Sequence, residues 1–499
     1  MNKPFYITTA IDYVNGQPHL GHAYEKVITD VIARIHRGFG EDVFFLTGVD
    51  EHGQKVQQKA LSESKTPQTY CDALAKDWEQ FATTLGLSNN DFVRTTQPRH
   101  QEYVQRTLTK LFQEGHFYKA SHTGFYSVKE ETFLTEKERL PDGTFDPAYG
   151  EVVQLSEDDY YFKLKEHKQW LIDHIESHPE FIVPTSRRNE VIGFLKNNPL
   201  EDLCISRPAS RLNWGIPLPF DKDFVTYVWF DALVNYTSVP ASHPELHLWP
   251  ADIHVIGKDI IKFHAVYWPI MLKAMGLPLP SQILVHGWWL KDGEKMAKST
   301  DNVVDPVAII NEWGLDAFRF YVIKELAIGP DGNWTDEGFK ARYQGELGNV
   351  LGNLINRALS MLKRYRNGIV PPQSDELAAF TNETVARVLE QFKQHSLQEA
   401  LQTIWTLVSR ANAYVEQTAP FKLAKEPTQA QRLDEVLYNL VEVCRILAVL
   451  LKPFLPDTSD KIYKQLGLTT VGSLADVTWG GLKPGQAIGE PAPLFPRKD

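Results

Sequence analysis

FYITTAIDYVNGQPHLGHAYE, residues 5–25, runs from an apolar strand through a Gly-Gln-Pro turn into the start of a helix. Residues 5–10 read as a buried strand, and Tyr24, Val27, Ile28, Val31, Ile32 and Ile35 then recur at helical spacing. A second apolar run, VFFLTG at 43–48, ends at VDEHG. Strand, helix, strand in that order predicts a parallel sheet. The same signature returns in VTYVWF (225–230), IHVIG (253–257) and ILVHGW (283–288), so the sheet is split in sequence by residues 115–225. That intervening stretch is rich in aromatics, acids and turn signals such as PDG (141–143) and NNP (197–199), and reads as an inserted module. From about residue 326 strand signals nearly vanish, and amphipathic helices are expected over 346–366, 379–415 and 430–452, with Pro371, Pro372 and Pro453 as stops. The expected fold class is α/β: a parallel-sheet domain interrupted by an insertion and followed by an all-α helical bundle.

A chain of 499 residues suggests about three domains. With 43% apolar and 23% charged residues it can build large cores. Lys and Arg number 52 against 63 Asp and Glu, a net charge of −11, so any nucleic-acid contact needs a local basic patch. Cys71, Cys204 and Cys444 are far apart and form no CxxC or CxH pair able to grip zinc. The N-terminus enters a strand without a signal-like apolar region, and no apolar run approaches the ~20 residues of a membrane span. A cytoplasmic protein without membrane contact is expected.

Two motifs carry chemistry. GQPHLGHAYE (16–25) lies where the first strand turns into the first helix, and there the helix amides and dipole favour an anion over the sheet edge. His19 and His22 are one turn apart, with Gly21 between them leaving room for a purine or phosphate, and imidazole N–H donors suit phosphoryl oxygens that gain charge. GEKMAKS (293–299) follows the last strand. Its Lys295 and Lys298, flanked by Gly293, Ser299 and Thr300, form a cationic loop able to close over a polyphosphate.

HLGH and KMAKS together, in order and on these elements, resemble the HIGH and KMSKS signatures of class I aminoacyl-tRNA synthetases, with Ala297 as the one departure in the second. The resemblance implies a Rossmann-like catalytic domain in two halves (1–114 and 226–325), a connective insertion (115–225), a linker (326–345) and an anticodon-binding helical domain (346–499). It also implies ATP with Mg²⁺ as its companion ion, and an ATP site at His19, Gly21, His22, Gly257, Lys295, Lys298 and Ser299. His19, His22, Lys295 and Lys298 carry the catalytic roles, with no side-chain nucleophile.

AIDYVNGQPHLGH (10–22), FLTGVDEHG (45–53), NWGIPLPFD (213–221), YVWFDALVNY (227–236) and HVIGKDIIKFHAVYWP (254–269) are similar to the methionyl-tRNA synthetase branch of that class. The implied methionine pocket is Ala10, Ile11, Tyr13, Asp50, Val228, Trp229, Ala232, Tyr236, Ile260, His264 and Trp268. These types fit the ligand: aromatic faces hold a polarizable thioether, at roughly 0.3–1.5 kcal/mol per sulfur contact, and Asp50 can accept the α-ammonium. His264 is expected either to approach the sulfur or to orient Tyr13. Many relatives carry cysteine zinc knuckles in the insertion, whereas GFYSVKEETFL (124–134) has no cysteine, so no structural zinc is expected.

On a helical wheel of 347–364, Leu347, Val350, Leu351, Leu354, Ile355, Ala358 and Leu362 share one face, and Asn353, Arg357, Ser360 and Arg364 the other. Residues 340–366 hold six Lys or Arg and one acid, Glu346, a local cationic strip. The family's anticodon readers match Asn353 and Arg357, and its base-stacking Trp corresponds to Phe421. The expected activity is ligation of L-methionine to tRNA(Met), initiator included, by a monomer. Rivals are a leucyl, valyl or cysteinyl enzyme, disfavoured by the missing editing insertion and missing zinc cysteines, and a noncatalytic RNA-binding paralogue, disfavoured by the intact motifs.

Overall fold

The structure, a computed structural model, describes residues 3–14, 16–127, 132–134, 138–226, 228–296 and 302–498. It divides into two compact units, one formed by 1–17, 46–80 and 89–285, the other by 18–45, 81–88 and 286–499.

The first unit holds most of the parallel sheet. Its strands run in the order Asp12–Tyr13, Val43–Asp50, Phe5–Thr9, Ile253–Gly257, Gln282–His286, Ile182–Val183, with Asp91–Arg94 also on Val43–Asp50. Registers such as Ile7↔Ile253, Leu46↔Asp91 and Leu284↔Val183 are parallel. All eight residues of 43–50 are buried, as the continuous apolar run predicts for a strand covered on both faces. Gly48 is obligatory there, because a Cβ would meet the Val93 carbonyl oxygen at 2.1 Å. The insertion is built on the antiparallel pair Phe117–Ser127 and Val152–Phe162, in register from Phe117↔Phe162 to Ser127↔Val152. Phe117, Phe162 and Leu164 share one core with Leu108, Phe230 and Leu233, so the root of the insertion is packed into the sheet's helical cover.

One strand expectation fails. VTYVWF is no strand of the parallel sheet: its start ends the strand Asp221–Thr226, which pairs antiparallel with Ser206–Pro208, and a helix runs from Val228 to Ser242. That helix is apolar nearly all round, because it is buried on every side, and a short apolar run does not reveal its period. The sheet instead recruits Ile182–Val183 and Asp91–Arg94.

The second unit contains Leu20–Gly38 and the C-terminal helices. The helix expected over 379–415 is two, Ala378–Lys393 and Leu397–Thr418, broken where His395 adopts φ +53°. The expected 346–366 helix begins as a π-helix, Tyr343–Gly352, before the α-helix Asn353–Arg366. The wider turn shifts the wheel, leaving Val350 only half-buried while Leu347, Leu351, Leu354, Ile355, Ala358 and Leu362 are buried. Ala430–Leu451 follows expectation closely. Arg319 is fully buried, paired to Asp30 at 2.7 Å and bonded to the carbonyls of Leu85, Pro453 and Phe454. This guanidinium ties the first helix to the end of the last long one. Among the described residues no helix is long and apolar enough to cross a membrane.

Candidate active site and anticodon face

In the first unit, Asp50, Ala10 and Gly257 stand at the carboxyl ends of three neighbouring parallel strands. This is the edge at which open α/β sheets bind ligands. Tyr13 pairs with Asp50 across the strands, and the Val14 amide bonds the Asp50 carbonyl at 3.1 Å. Ala10 and Asp50 are buried, and Ile11 and Tyr13 half-buried.

The aromatic residues sit on two elements. Trp229, Ala232 and Tyr236 share a face of the helix from Val228 to Ser242, and Val228 opens that helix, its side chain lying outside the described residues. Ile260 closes a short 3₁₀ turn, and a π-helix over Phe263–Tyr267 then delivers His264 and Trp268. Hydrogen bonds fix the tautomers. His264 Nδ1 donates to the Ile260 carbonyl at 3.0 Å, so its Nε2 accepts from the Tyr236 hydroxyl at 2.8 Å. The Trp268 indole donates to His254 Nε2 at 3.2 Å, leaving His254 Nδ1 to donate to Thr8 Oγ1 at 2.8 Å. Complete burial, with His264 nearby, holds His254 well below the ordinary imidazole range, so it is neutral. Trp229 stacks on Phe263 with centroids 3.5 Å apart. The described contacts thus give His264 the task of holding Tyr236.

Sequence reasoning missed His254 and Phe263, and it missed a buried network beside Asp50. Asp231 accepts from His52 Nδ1 at 2.6 Å and from His100 Nε2 at 2.7 Å, and His100 Nδ1 meets Ser238 Oγ at 2.8 Å. Burial would raise the Asp231 carboxyl, but the two histidines hold it down to about 2. Glu51 is fixed by Arg94 at 2.9 Å and by Thr96. The signal available was the polar VDEHG run after an apolar strand.

In the second unit, His19 caps the helix Leu20–Gly38: its Nδ1 accepts from the Gly21 amide at 3.1 Å, while His22 Nδ1 accepts from the His19 amide at 3.1 Å. The rings stack at 3.8 Å. With both Nδ1 atoms accepting, the proton of each neutral ring sits on Nε2, the arrangement of two N–H donors at a helix N-terminus. The space at Gly21 serves the His19 ring, because a Cβ would stand 3.0 Å from its Cε1. The lysine segment begins as a tight hairpin, Trp289–Lys291 with Glu294–Lys295, turning through Asp292 and Gly293 at φ +56° and +78°. Within this unit the helix that follows His19 meets the strands that lead into the lysine segment: Tyr24, in the first turns after His22, packs edge-on against His286 at 5.3 Å and Trp289 at 5.8 Å, and Glu25 meets His286 at 3.2 Å. Lys298 and Ser299, with the Lys295 side chain, lie outside the described residues.

Asn353 is exposed and Arg357 half-buried on the helix Asn353–Arg366, and Phe421 is 45% exposed on the turn Pro420–Leu423. Arg357 bonds Glu416 at 2.6 Å in the last turn of Leu397–Thr418, from which the chain passes directly to Phe421. The anticipated cationic strip is largely neutralised. Arg342 pairs with Glu325 and Glu346, Lys363 with Glu490 at 2.7 Å and Arg366 with Asp434. Every one of these acids except Glu346 comes from another element, invisible in a local charge count.

A family model described as "tRNA synthetases class I (M)" matches residues 5–154 and 148–359, and one described as "Anticodon-binding domain of tRNA ligase" matches 375–482. The methionine–tRNA ligase of Bacillus subtilis is 42% identical over 520 residues, covering 99% of this chain and 78% of that protein. That of Rhizobium meliloti is 41% identical over 513 residues, covering 99% and 98%. The solved structure of Mycobacterium tuberculosis methionyl-tRNA synthetase in complex with methionyl-adenylate superposes with a TM-score of 0.92 at 39% identity, covering 99% of this chain and 100% of that one.

Proposed function

The chain belongs to the methionine–tRNA ligases of class I, and we propose a division of that work among its residues. It activates methionine with ATP and charges tRNA with the product. The observation that carries the assignment of residues is the alignment of Asp50, Ala10 and Gly257 at the carboxyl ends of adjacent parallel strands.

Asp50 accepts the methionine ammonium, and Tyr13, Trp229, Tyr236, His264 and Trp268, with Ala10, Ile11, Val228, Ala232 and Ile260, enclose the thioether. The methionine carboxylate attacks the α-phosphate, forming the P–O bond of the adenylate as the bond to pyrophosphate breaks. No side chain acts as nucleophile, and catalysis rests on positioning and charge stabilisation. The Nε2–H groups of His19 and His22 donate to phosphate oxygens, Gly257 admits the nucleotide, Gly21 gives the His19 ring room to face it, and Lys295, Lys298 and Ser299 hold the departing pyrophosphate. Mg²⁺ held by the triphosphate would supply further charge neutralisation as pyrophosphate leaves. A terminal ribose hydroxyl of the tRNA then attacks the adenylate carbonyl and AMP leaves. Asn353 and Arg357 read unstacked anticodon bases and Phe421 stacks on one. The exposed Arg357–Glu416 pair is worth at most about 1 kcal/mol and is readily exchanged for RNA.

We assign the catalytic halves to 1–114 and 226–325, the insertion, held without a cysteine knuckle, to 115–225, the linker to 326–345 and the anticodon domain to 346–499, all in one cytoplasmic, monomeric chain acting on initiator and elongator tRNA. The test is ATP–pyrophosphate exchange across the amino acids, with Lys298→Ala compared to the unaltered protein. Exchange should depend on methionine, and the substitution should abolish it while methionine binding persists. Equal loss of both would remove Lys298 from the pyrophosphate step.

A further inference from the structure

The root of the insertion gathers ligands of a kind the sequence expectation about zinc, framed on cysteines, did not weigh. His116 stands immediately before the strand Phe117–Ser127, and the returning strand ends at Phe162, opposite Phe117. The chain then turns through Lys163 and Leu164 into the 3₁₀ turn Lys165–His167. The Lys163 amide bonds the His116 carbonyl at 3.1 Å and its ammonium the Gly115 carbonyl at 2.7 Å, which fixes the two chain segments side by side. In consequence one donor atom each of His116, Glu166 and His167 lies within 4.8 Å of the others.

The spacing is wrong for hydrogen bonds and close to that of a coordination sphere. His167 Nε2 stands 3.6 Å from Glu166 Oε1, beyond hydrogen-bond reach. Donors around a tetrahedral zinc, at 2.0–2.1 Å from the ion, are about 3.4 Å apart. His167 Nε2 is buried without a hydrogen-bond partner, a condition native structures rarely leave uncompensated. Glu114 Oε2 lies 3.9 Å from His116 Nε2, on the neighbouring stretch of chain. Of the nearby lysines, Lys163 is engaged by the Gly115 carbonyl and Lys273 lies over the Trp170 ring at 4.2 Å.

We propose that His116, Glu166 and His167 form a site for a divalent transition-metal ion, with Glu114 or water completing the shell. Two imidazoles and a carboxylate select zinc and its neighbours, cobalt, nickel and copper, over magnesium or calcium. The ion would staple the point where the chain enters the insertion to the point where its long hairpin returns. The site is independent of methionine, ATP and tRNA binding.

The test uses untagged full-length protein stripped with chelator. Co²⁺ is titrated while the visible ligand-field absorption of low-coordinate cobalt is followed, and Zn²⁺ is titrated by calorimetry. One equivalent is expected in the unaltered protein. H116A/H167A should lose the cobalt spectrum and weaken Zn²⁺ at least tenfold, while keeping methionine-dependent pyrophosphate exchange, which also reports that it is folded. E166Q, which leaves both imidazoles in place, should show a smaller loss and serves if the double variant fails to fold. No stoichiometric binding by the unaltered protein, or unchanged binding by both variants, overturns the proposal.

Discussion

The proposed methionine pocket of the first unit and the proposed anticodon face of the second are built on opposite principles. In the pocket the polar contacts are buried or part-buried and fix the tautomers: Trp268 to His254 to Thr8, and Tyr236 to His264 to the Ile260 carbonyl. On the proposed anticodon face Arg357 is held by an ion pair with Glu416, their side chains 40% and 67% exposed. A small, flexible amino acid brings little binding energy, so its receptor is organised before it arrives. A large polyanion brings many contacts, and its receptor can keep its side chains engaged elsewhere until they are exchanged.

The largest effect that separates the two is at Asp50. Asp50→Asn should lower kcat/KM for methionine in pyrophosphate exchange on the order of 100-fold, from loss of a charge-assisted bond of roughly 1.5–3 kcal/mol, and leave tRNA binding intact. A variant as active as the parent would remove the carboxylate from ammonium recognition. Next, Phe421→Ala and Arg357→Ala should each weaken tRNA charging about 10- to 100-fold, since stacking on a base is worth roughly 1–3 kcal/mol, with methionine-dependent exchange unchanged. Filter binding of tRNA at two salt concentrations measures this, and an exchange rate that fell in step would show the two regions to be less separable than drawn. Tyr236→Phe strips His264 Nε2 of its donor and leaves a buried acceptor unmet, at a cost of roughly 1–3 kcal/mol. The expected readout is a KM for methionine raised about tenfold with little change in KM for tRNA.

The smallest effect concerns pH, and it belongs to the helical unit. His395 faces His36 across 3.3 Å between Nε2 atoms, and burial, with His36 adding to it, pushes His395 down to about 4. The unfolded chain takes up that proton near pH 6.5 and the folded one does not. Stability is therefore complete above pH 6.5 and falls as the pH drops from there to about 4, by at most about 3 kcal/mol. His395→Asn, which tolerates the positive φ, should flatten the unfolding midpoint in that window. An unchanged acid slope would trace the sensitivity to other groups.

Local chemistry was legible and partnership was not. HLGH reads as a helix start because cap and turn are contiguous, and the apolar runs at 5–9, 43–50 and 253–257 read as strands because a doubly covered strand is apolar throughout. The helix after Val228 was misread for the same reason, since burial on all sides erases the period. The His52–Asp231 contact spans 179 residues, and the acids that neutralise Arg357, Lys363 and Arg366 lie 59, 127 and 68 residues away, so no local pattern announces them. His254 and Phe263 gain their places through a parallel pairing and a π-helix, neither of which leaves a sequence mark of its own.

Arg319 carries a lesson about modularity. Its guanidinium makes four contacts, to pieces of chain at residues 30, 85, 453 and 454. A fragment beginning at residue 346 would strip the Pro453 and Phe454 carbonyls of their donor and bare the surface that covered them. The C-terminal helices are therefore not a cassette that can be excised and grafted elsewhere; transplanting them requires carrying along Arg319 and the helix Leu20–Gly38 that holds it.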